Sequence, residues 1–109
     1  MFRWLANLFA DTFEGRSPQW PKVRAKFLVH NPSCVVCGAT EDIEVHHLRP
    51  VNAYPELELS LANLRTVCHD CHLLVGHCRD TRSWNPQFDA DAAFLSRMIA
   101  RRKYGRLAA

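Results

Sequence analysis

The apolar positions fall into short blocks separated by breakers. Phe2, Leu5, Phe9 and Phe13 recur at three- and four-residue steps and predict a helix over 2–13. Gly15-Arg-Ser-Pro-Gln19 breaks it, and a second helix is expected over 20–30. Ser17 or Gln19 opens that helix and Pro21 suits its first turn. Trp20, Val23, Phe27 and Leu28 form its apolar face, with Lys22, Arg24 and Lys26 outward. Asn31-Pro32 ends it. Ile43-Glu44-Val45-His46 alternates as a short strand, and Leu64-Arg65-Thr66-Val67 reads as a second. Between them, 49–62 is a long connection carrying Pro50 and Pro55. His72-Leu73-Leu74-Val75 predicts a short helix that Gly76 could end, and 79–88 is loop-like. A last helix is expected from about Asp89 to Lys103, with Ala93, Phe94, Met98 and Ile99 inward. Asp89 and Asp91 suit its start, and Arg101, Arg102 and Lys103 its end. There is no internal repeat or low-complexity segment.

With 109 residues, 48% of them hydrophobic and 23% charged, the composition is globular. No apolar run approaches the roughly 20 residues of a membrane span. Asp11 and Glu14 interrupt the first apolar block, which is therefore not expected to be a signal segment. A chain of this size builds a modest core and often carries a metal or disulfide staple. The net charge of +3 is uneven: residues 1–33 carry +3, 34–78 carry −4 and 79–109 carry +4. Basic flanks around an acidic centre suit a polyanion such as nucleic acid, although solvated surface gives the same pattern.

The cysteines narrow the reading. Cys34 and Cys37 form one C-x-x-C pair, Cys68 and Cys71 another, with 30 residues between them. Each pair holds two thiolates on one side of a tight knuckle, and two knuckles give four sulfurs around Zn²⁺. Gly38 follows the first knuckle, where a positive φ is often wanted. Disulfides fit less well with an odd cysteine count and no secretory signal. Cys78 lies too far on to join and reads as a plain buried or half-buried thiol. Zinc on thiolates implies a reducing compartment, hence a cytoplasmic location.

Zinc closure would bring the strand end at His46 and His47 near His72, which follows Cys71 directly. Imidazoles from two elements would then converge as a second metal ion requires. Adjacent strand residues point oppositely, so His46 and His47 cannot easily share one ion. The other is free for a second role, general base being the obvious one. His30 and His69 read as structural or solvated.

Taken together, Cys34-Val-Val-Cys37, Val45-His46-His47-Leu-Arg-Pro50, Asn63-Leu64 and Cys68-His-Asp-Cys71-His72 resemble the HNH nucleases of the ββα-metal kind. The resemblance covers about residues 33–78. It extends to Trp20-Pro-x-Val-Arg24 before and to Gly76-His77 and Ser83-Trp84-Asn85-Pro86 after, which are similar to bacterial and phage HNH proteins. It implies an α+β fold with a small ββα-metal core, two zinc knuckles and flanking N- and C-terminal helices. The expected division is 1–32 as helical extension, 33–88 as nuclease core and 89–109 as C-terminal helix.

By the same resemblance, His46 and His72 ligate one catalytic divalent ion (Mg²⁺, Mn²⁺, Ni²⁺ or Zn²⁺), and His77 completes the site or contacts phosphate. His47 is the general base. Asn63 holds the loop and the base histidine through hydrogen bonds. Cys34, Cys37, Cys68 and Cys71 hold one structural zinc. The implied activity is metal-dependent hydrolysis of DNA phosphodiesters by nicking, with weak sequence preference. Arg16, Lys22, Arg24, Lys26, Arg49, Arg65, Arg79 and Arg82 are the expected phosphate contacts on double-stranded DNA, with single-stranded DNA also open. The implied setting is a bacterial or phage-infected cytoplasm. Alternatives are a catalytically silent zinc-knuckle adaptor for nucleic acid, a phage packaging or defence protein that cleaves only with a partner, and a nuclease acting on RNA or a toxin's target. Oligomeric state is not legible.

Overall fold

The computed structural model describes residues 16–80 and 82–108, with backbone alone at 104–108. The helix expected over 2–13 lies outside the described residues. The elements are α1 (Trp20–His30), β1 (Ile43–His47), β2 (Leu64–Cys68), α2 (His69–Cys71) and α3 (Phe88–Ala108). Two 3₁₀ turns, Pro55–Leu57 and Leu61–Asn63, punctuate the connection between the strands. A π-type turn, His72–Gly76, continues α2. The architecture is α+β, built on one two-stranded antiparallel sheet.

α1 starts where its sequence allows. Pro21 sits in the first turn, and the Ser17 hydroxyl accepts the Gln19 N–H at 3.1 Å. At the other end, the Asn31 backbone and side-chain N–H groups both donate to the Phe27 carbonyl, at 2.8 and 3.0 Å. Pro32 then cannot extend the helix. Trp20, Val23, Phe27 and Leu28 are half-buried as expected, but none is fully buried. Arg24, expected outward, is half-buried as well, because it lies one turn after Trp20.

β1 and β2 pair from Ile43 opposite Cys68 to His47 opposite Leu64. Alternation puts Glu44 and His46 on one face and Ile43, Val45 and His47 on the other. The second face meets α1: Trp20 lies on His47, and the Thr66 hydroxyl donates to the Asn31 carbonyl at 2.6 Å. The first face meets the π-type turn and α3. There Cys34, Val36, Val67, Val75, Phe88 and Ala92 make the main core. Phe88 is 1% exposed and its ring centroid lies 4.8 Å from that of His46.

α3 corrects one expectation. Its inward face is Phe88, Ala92 and Leu95, whereas Ala93, Phe94, Met98 and Ile99 are exposed. The helix begins one residue earlier than Asp89, and the phase set by Phe88 turns Phe94 and Met98 away from the core. Asn85 anchors this start. Its side chain donates to the Val75 carbonyl and to Asp91, and accepts the Gln87 N–H. Asp89 takes a bidentate pair of bonds from Arg65, both at 2.9 Å.

Because Phe88 fills a small core at a point where it also backs His46, Phe88→Ala should cost about 3–5 kcal/mol. Urea unfolding of the zinc-loaded chain measures this. A midpoint equal to wild type would remove Phe88 from the core.

Candidate metal centres and active site

The four cysteine sulfurs of Cys34, Cys37, Cys68 and Cys71 all lie within 4.8 Å of one another. Both knuckles are built from backbone geometry. Gly38 has φ +80°, as its place after the first knuckle predicts. The Val36 N–H points at Cys34 Sγ and the Cys71 N–H at Cys68 Sγ. Burial pushes the Cys34 thiol up, but hydrogen bonds from backbone N–H groups overcome this and bring it down to about 7. Burial and the neighbouring thiols push Cys37 and Cys71 up. A bound dication removes that conflict by stabilising all four thiolates together. Cys78 is outside the cluster and exposed, not buried or half-buried, because the chain turns outward there with φ +52°.

His46, His72 and His77 converge separately, again with one ligand atom each within 4.8 Å. β1 supplies His46, the start of the π-type turn His72, and the residue after it His77. Their hydrogen bonds assign the ring nitrogens. Glu44 Oε1 lies 2.7 Å from His72 Nδ1, and the Ser83 carbonyl 2.7 Å from His77 Nδ1. A carboxylate and a carbonyl only accept, so both Nδ1 atoms carry the hydrogens. The two Nε2 atoms then face each other 3.2 Å apart. His46 is 1% exposed, and its Nε2 is buried with no hydrogen-bond partner. Three imidazoles with one ligand atom each in so small a space, and an unsatisfied buried nitrogen among them, suit a cation. Burial, then His72 and His77, hold His46 down to about 3, so it stays neutral and able to ligate. Burial also lowers His72, against the Glu44 hydrogen bond. Glu44 itself is pushed up by burial, but the bonds from His72 and His69 outweigh that and leave it low.

Gly76 makes room for this cluster. A Cβ there would lie 2.9 Å from His46 Cε1, 3.0 Å from His46 Nδ1 and 3.2 Å from His72 Cδ2.

His47 points to the opposite face. Its Nε2–H donates to the Glu58 carbonyl at 3.0 Å, which leaves Nδ1 as the lone-pair nitrogen. Burial lowers its pKa and favours the neutral ring. The Trp20 ring covers it at a centroid distance of 4.6 Å. Asn63 is buried, accepts the Arg49 N–H, and donates to the Arg49 and Leu57 carbonyls. It therefore ties down the loop that carries Glu58; its side chain does not bond His47 directly.

The basic residues divide. Lys22, Lys26, Arg49, Arg79 and Arg82 are exposed, with Arg49 lying over the Tyr54 ring. Arg24 is half-buried. Arg16 stacks on Trp20 and approaches Glu58 at 3.6 Å. Arg65 is engaged by Asp89 and by the Ala62 and Leu64 carbonyls. Sequence reasoning passed over Glu44, Glu58 and the Gly76 contact. Glu44 was findable, since it stands two residues before His46 on an alternating strand and must share its face.

Gly76→Ala should leave zinc on the four sulfurs and abolish ion binding at the three imidazoles. Metal analysis with calorimetry checks this, and full binding at the histidines would refute the cradle. Cys68→Ser should abolish the cooperative unfolding transition, because zinc ligation and folding are linked. A wild-type melting curve for that variant would contradict it.

Residues 34–77 match the family model described as HNH endonuclease. No curated protein and no solved structure matches the chain. The matched segment holds all four knuckle cysteines, the three converging histidines, His47 and Asn63. Residues 34–77 are therefore similar to an HNH endonuclease domain, and four cysteines at metal-binding distance fit the zinc-binding variant of that domain.

Proposed function

We propose that the chain is a metal-dependent endonuclease that hydrolyses DNA phosphodiester bonds. The observation that carries this reading is the division of labour at the end of β1. His46, with a buried ring nitrogen that has no hydrogen-bond partner among the described residues, clusters with His72 and His77, while His47, one residue on, is tethered separately with a lone pair on Nδ1.

In this reading His47 Nδ1 takes a proton from water as that water attacks phosphorus in line with the departing 3′ oxygen. The products are a 5′-phosphate and a 3′-hydroxyl. His46, His72 and His77 would hold a divalent ion, which would supply positive charge against the negative charge that builds up on the phosphate. Glu44 and the Ser83 carbonyl hold two of those rings in the tautomer that presents Nε2. Asn63 fixes the loop whose Glu58 carbonyl keeps the His47 hydrogen on Nε2. A ligand set of imidazoles without carboxylate favours Zn²⁺ or Ni²⁺ over Mg²⁺. Exposed Lys22, Lys26, Arg49, Arg79 and Arg82 provide phosphate contacts, which carry little sequence information. One such site cuts one strand, so a nick is the product.

The test is cleavage of supercoiled plasmid by zinc-loaded protein, with added Ni²⁺, Zn²⁺, Mn²⁺ or Mg²⁺, beside His47→Ala. The variant should fold, bind both metals and lose about 10²–10⁴-fold in nicking rate. Equal cleavage by both proteins would refute the assignment of the base. DNA binding without cleavage by either would replace the enzyme with a binding adaptor.

A further inference from the structure

A closed circuit of contacts surrounds His47, and half of it comes from residues before the matched segment 34–77. Trp20 covers one side of the imidazole, with ring centroids 4.6 Å apart and planes 39° from parallel. The Arg16 guanidinium lies 5.2 Å from the Trp20 ring centroid. Arg16 Nη1 then reaches Glu58 Oε2 at 3.6 Å. The Ser17 N–H donates to both oxygens of the same carboxylate, at 3.0 and 3.1 Å. Glu58 is buried, and its backbone carbonyl accepts from His47 Nε2. The chain thus runs from the ring, through Trp20, Arg16 and Glu58, back to the same ring.

We propose that Trp20, Arg16 and Glu58 are positioning residues that hold the His47 imidazole in register, so that the base is oriented by a segment outside the HNH domain. This rests on the reading of His47 as general base. A single hydrogen bond leaves a ring free to swing about it, and the Trp20 face removes that freedom. Without the tryptophan, Nδ1 loses its fixed aim and the carbonyl bond no longer selects one tautomer. Glu58 serves twice: its carbonyl sets the tautomer, and its carboxylate, gripped by Ser17 and Arg16, sets where that carbonyl sits.

The circuit is separable from the fold. The core of Val36, Val67, Val75, Phe88 and Ala92 is on the other side of the hairpin, and α1 has no fully buried residue. Variants of Trp20 should therefore keep the fold and both metal sites.

The experiment uses the full chain loaded with zinc, as wild type, Trp20→Ala, Trp20→Phe and Arg16→Met, with His47→Ala as reference. Two readouts are taken: kcat and KM for plasmid nicking, and the ¹⁵N resonances of the His47 ring. Trp20→Ala should lower kcat by about 10–100-fold with KM unchanged. Its His47 nitrogens should move from one fixed tautomer toward averaged values. Trp20→Phe should restore both, and Arg16→Met should shift the resonances in the same sense as Trp20→Ala. A folded Trp20→Ala with wild-type kcat and ring resonances overturns the proposal. A rise in KM alone for Arg16→Met also overturns it, assigning Arg16 to phosphate binding instead. Should Trp20→Ala fail to fold, unchanged resonances in Arg16→Met decide against the circuit. If His47→Ala still cleaves, the base reading falls, while the ring resonances still judge the circuit by themselves.

Discussion

The pairing of Ile43 with Cys68 at one end of the hairpin, and of His47 with Leu64 at the other, determines where the reactive side chains can go. It sets the strand that ends in the second knuckle beside the strand that follows the first. It also forces His46 and His47 onto opposite faces. One slip in register would exchange them, aiming the tethered imidazole at His72 and His77 and the orphaned one at Trp20. Ladder hydrogen bonds between two five-residue strands are weak protection against such a slip. The four sulfurs supply the protection, because only one register lets Cys68 and Cys71 close on Cys34 and Cys37.

Magnitudes support giving the cysteines that role. A structural zinc on four such sulfurs would contribute about 10–16 kcal/mol at neutral pH, as much as the whole net stability of an ordinary domain, about 5–15 kcal/mol. The core around Phe88 is small and is shared with the active face, since Phe88 packs on His46 itself. The histidine cluster works against stability, crowding three imidazoles together with a buried nitrogen that has no partner among the described residues. A fold that carries such a cluster needs its stability from elsewhere, and the knuckles lie directly before the turn that holds it.

Much of this was legible along the chain. The C-x-x-C spacing located one cluster, and the His46-His47 dipeptide followed by His72 located the other. Strand alternation already put His46 and His47 on opposite faces. The bounds of α1 followed from Pro21 and Asn31-Pro32, where covalent geometry dictates the outcome. The failures have physical reasons. In α3 the largest apolar residues, Phe94 and Met98, are not the buried ones, because helix phase is set by Phe88, which looked like loop. The tie of Arg65 to Asp89 spans 24 residues and leaves no local pattern. Glu58 read as one more acid in a loop, and its buried carboxylate becomes meaningful only when Arg16 and Ser17 arrive from another part of the chain. His77 depended on how the turn after His72 ends, and the wide π-type turn brings it round to His72.

α1 has a further bearing on how the molecule fails. It leans on the hairpin through half-buried side chains alone, whereas the two metal clusters and Phe88 lock the opposite layer. Segments with so little burial open at the low end of a protein's range of local free energies. Warming therefore releases α1 before the knuckles. His47 then loses its aromatic wall while the sulfurs and the other histidines stay in place, and under the proposed reading of His47 as base, activity would end while most of the fold persists. Loss of the surroundings of His47 and loss of the fold would then be separate events, divided by the weak adhesion of one helix.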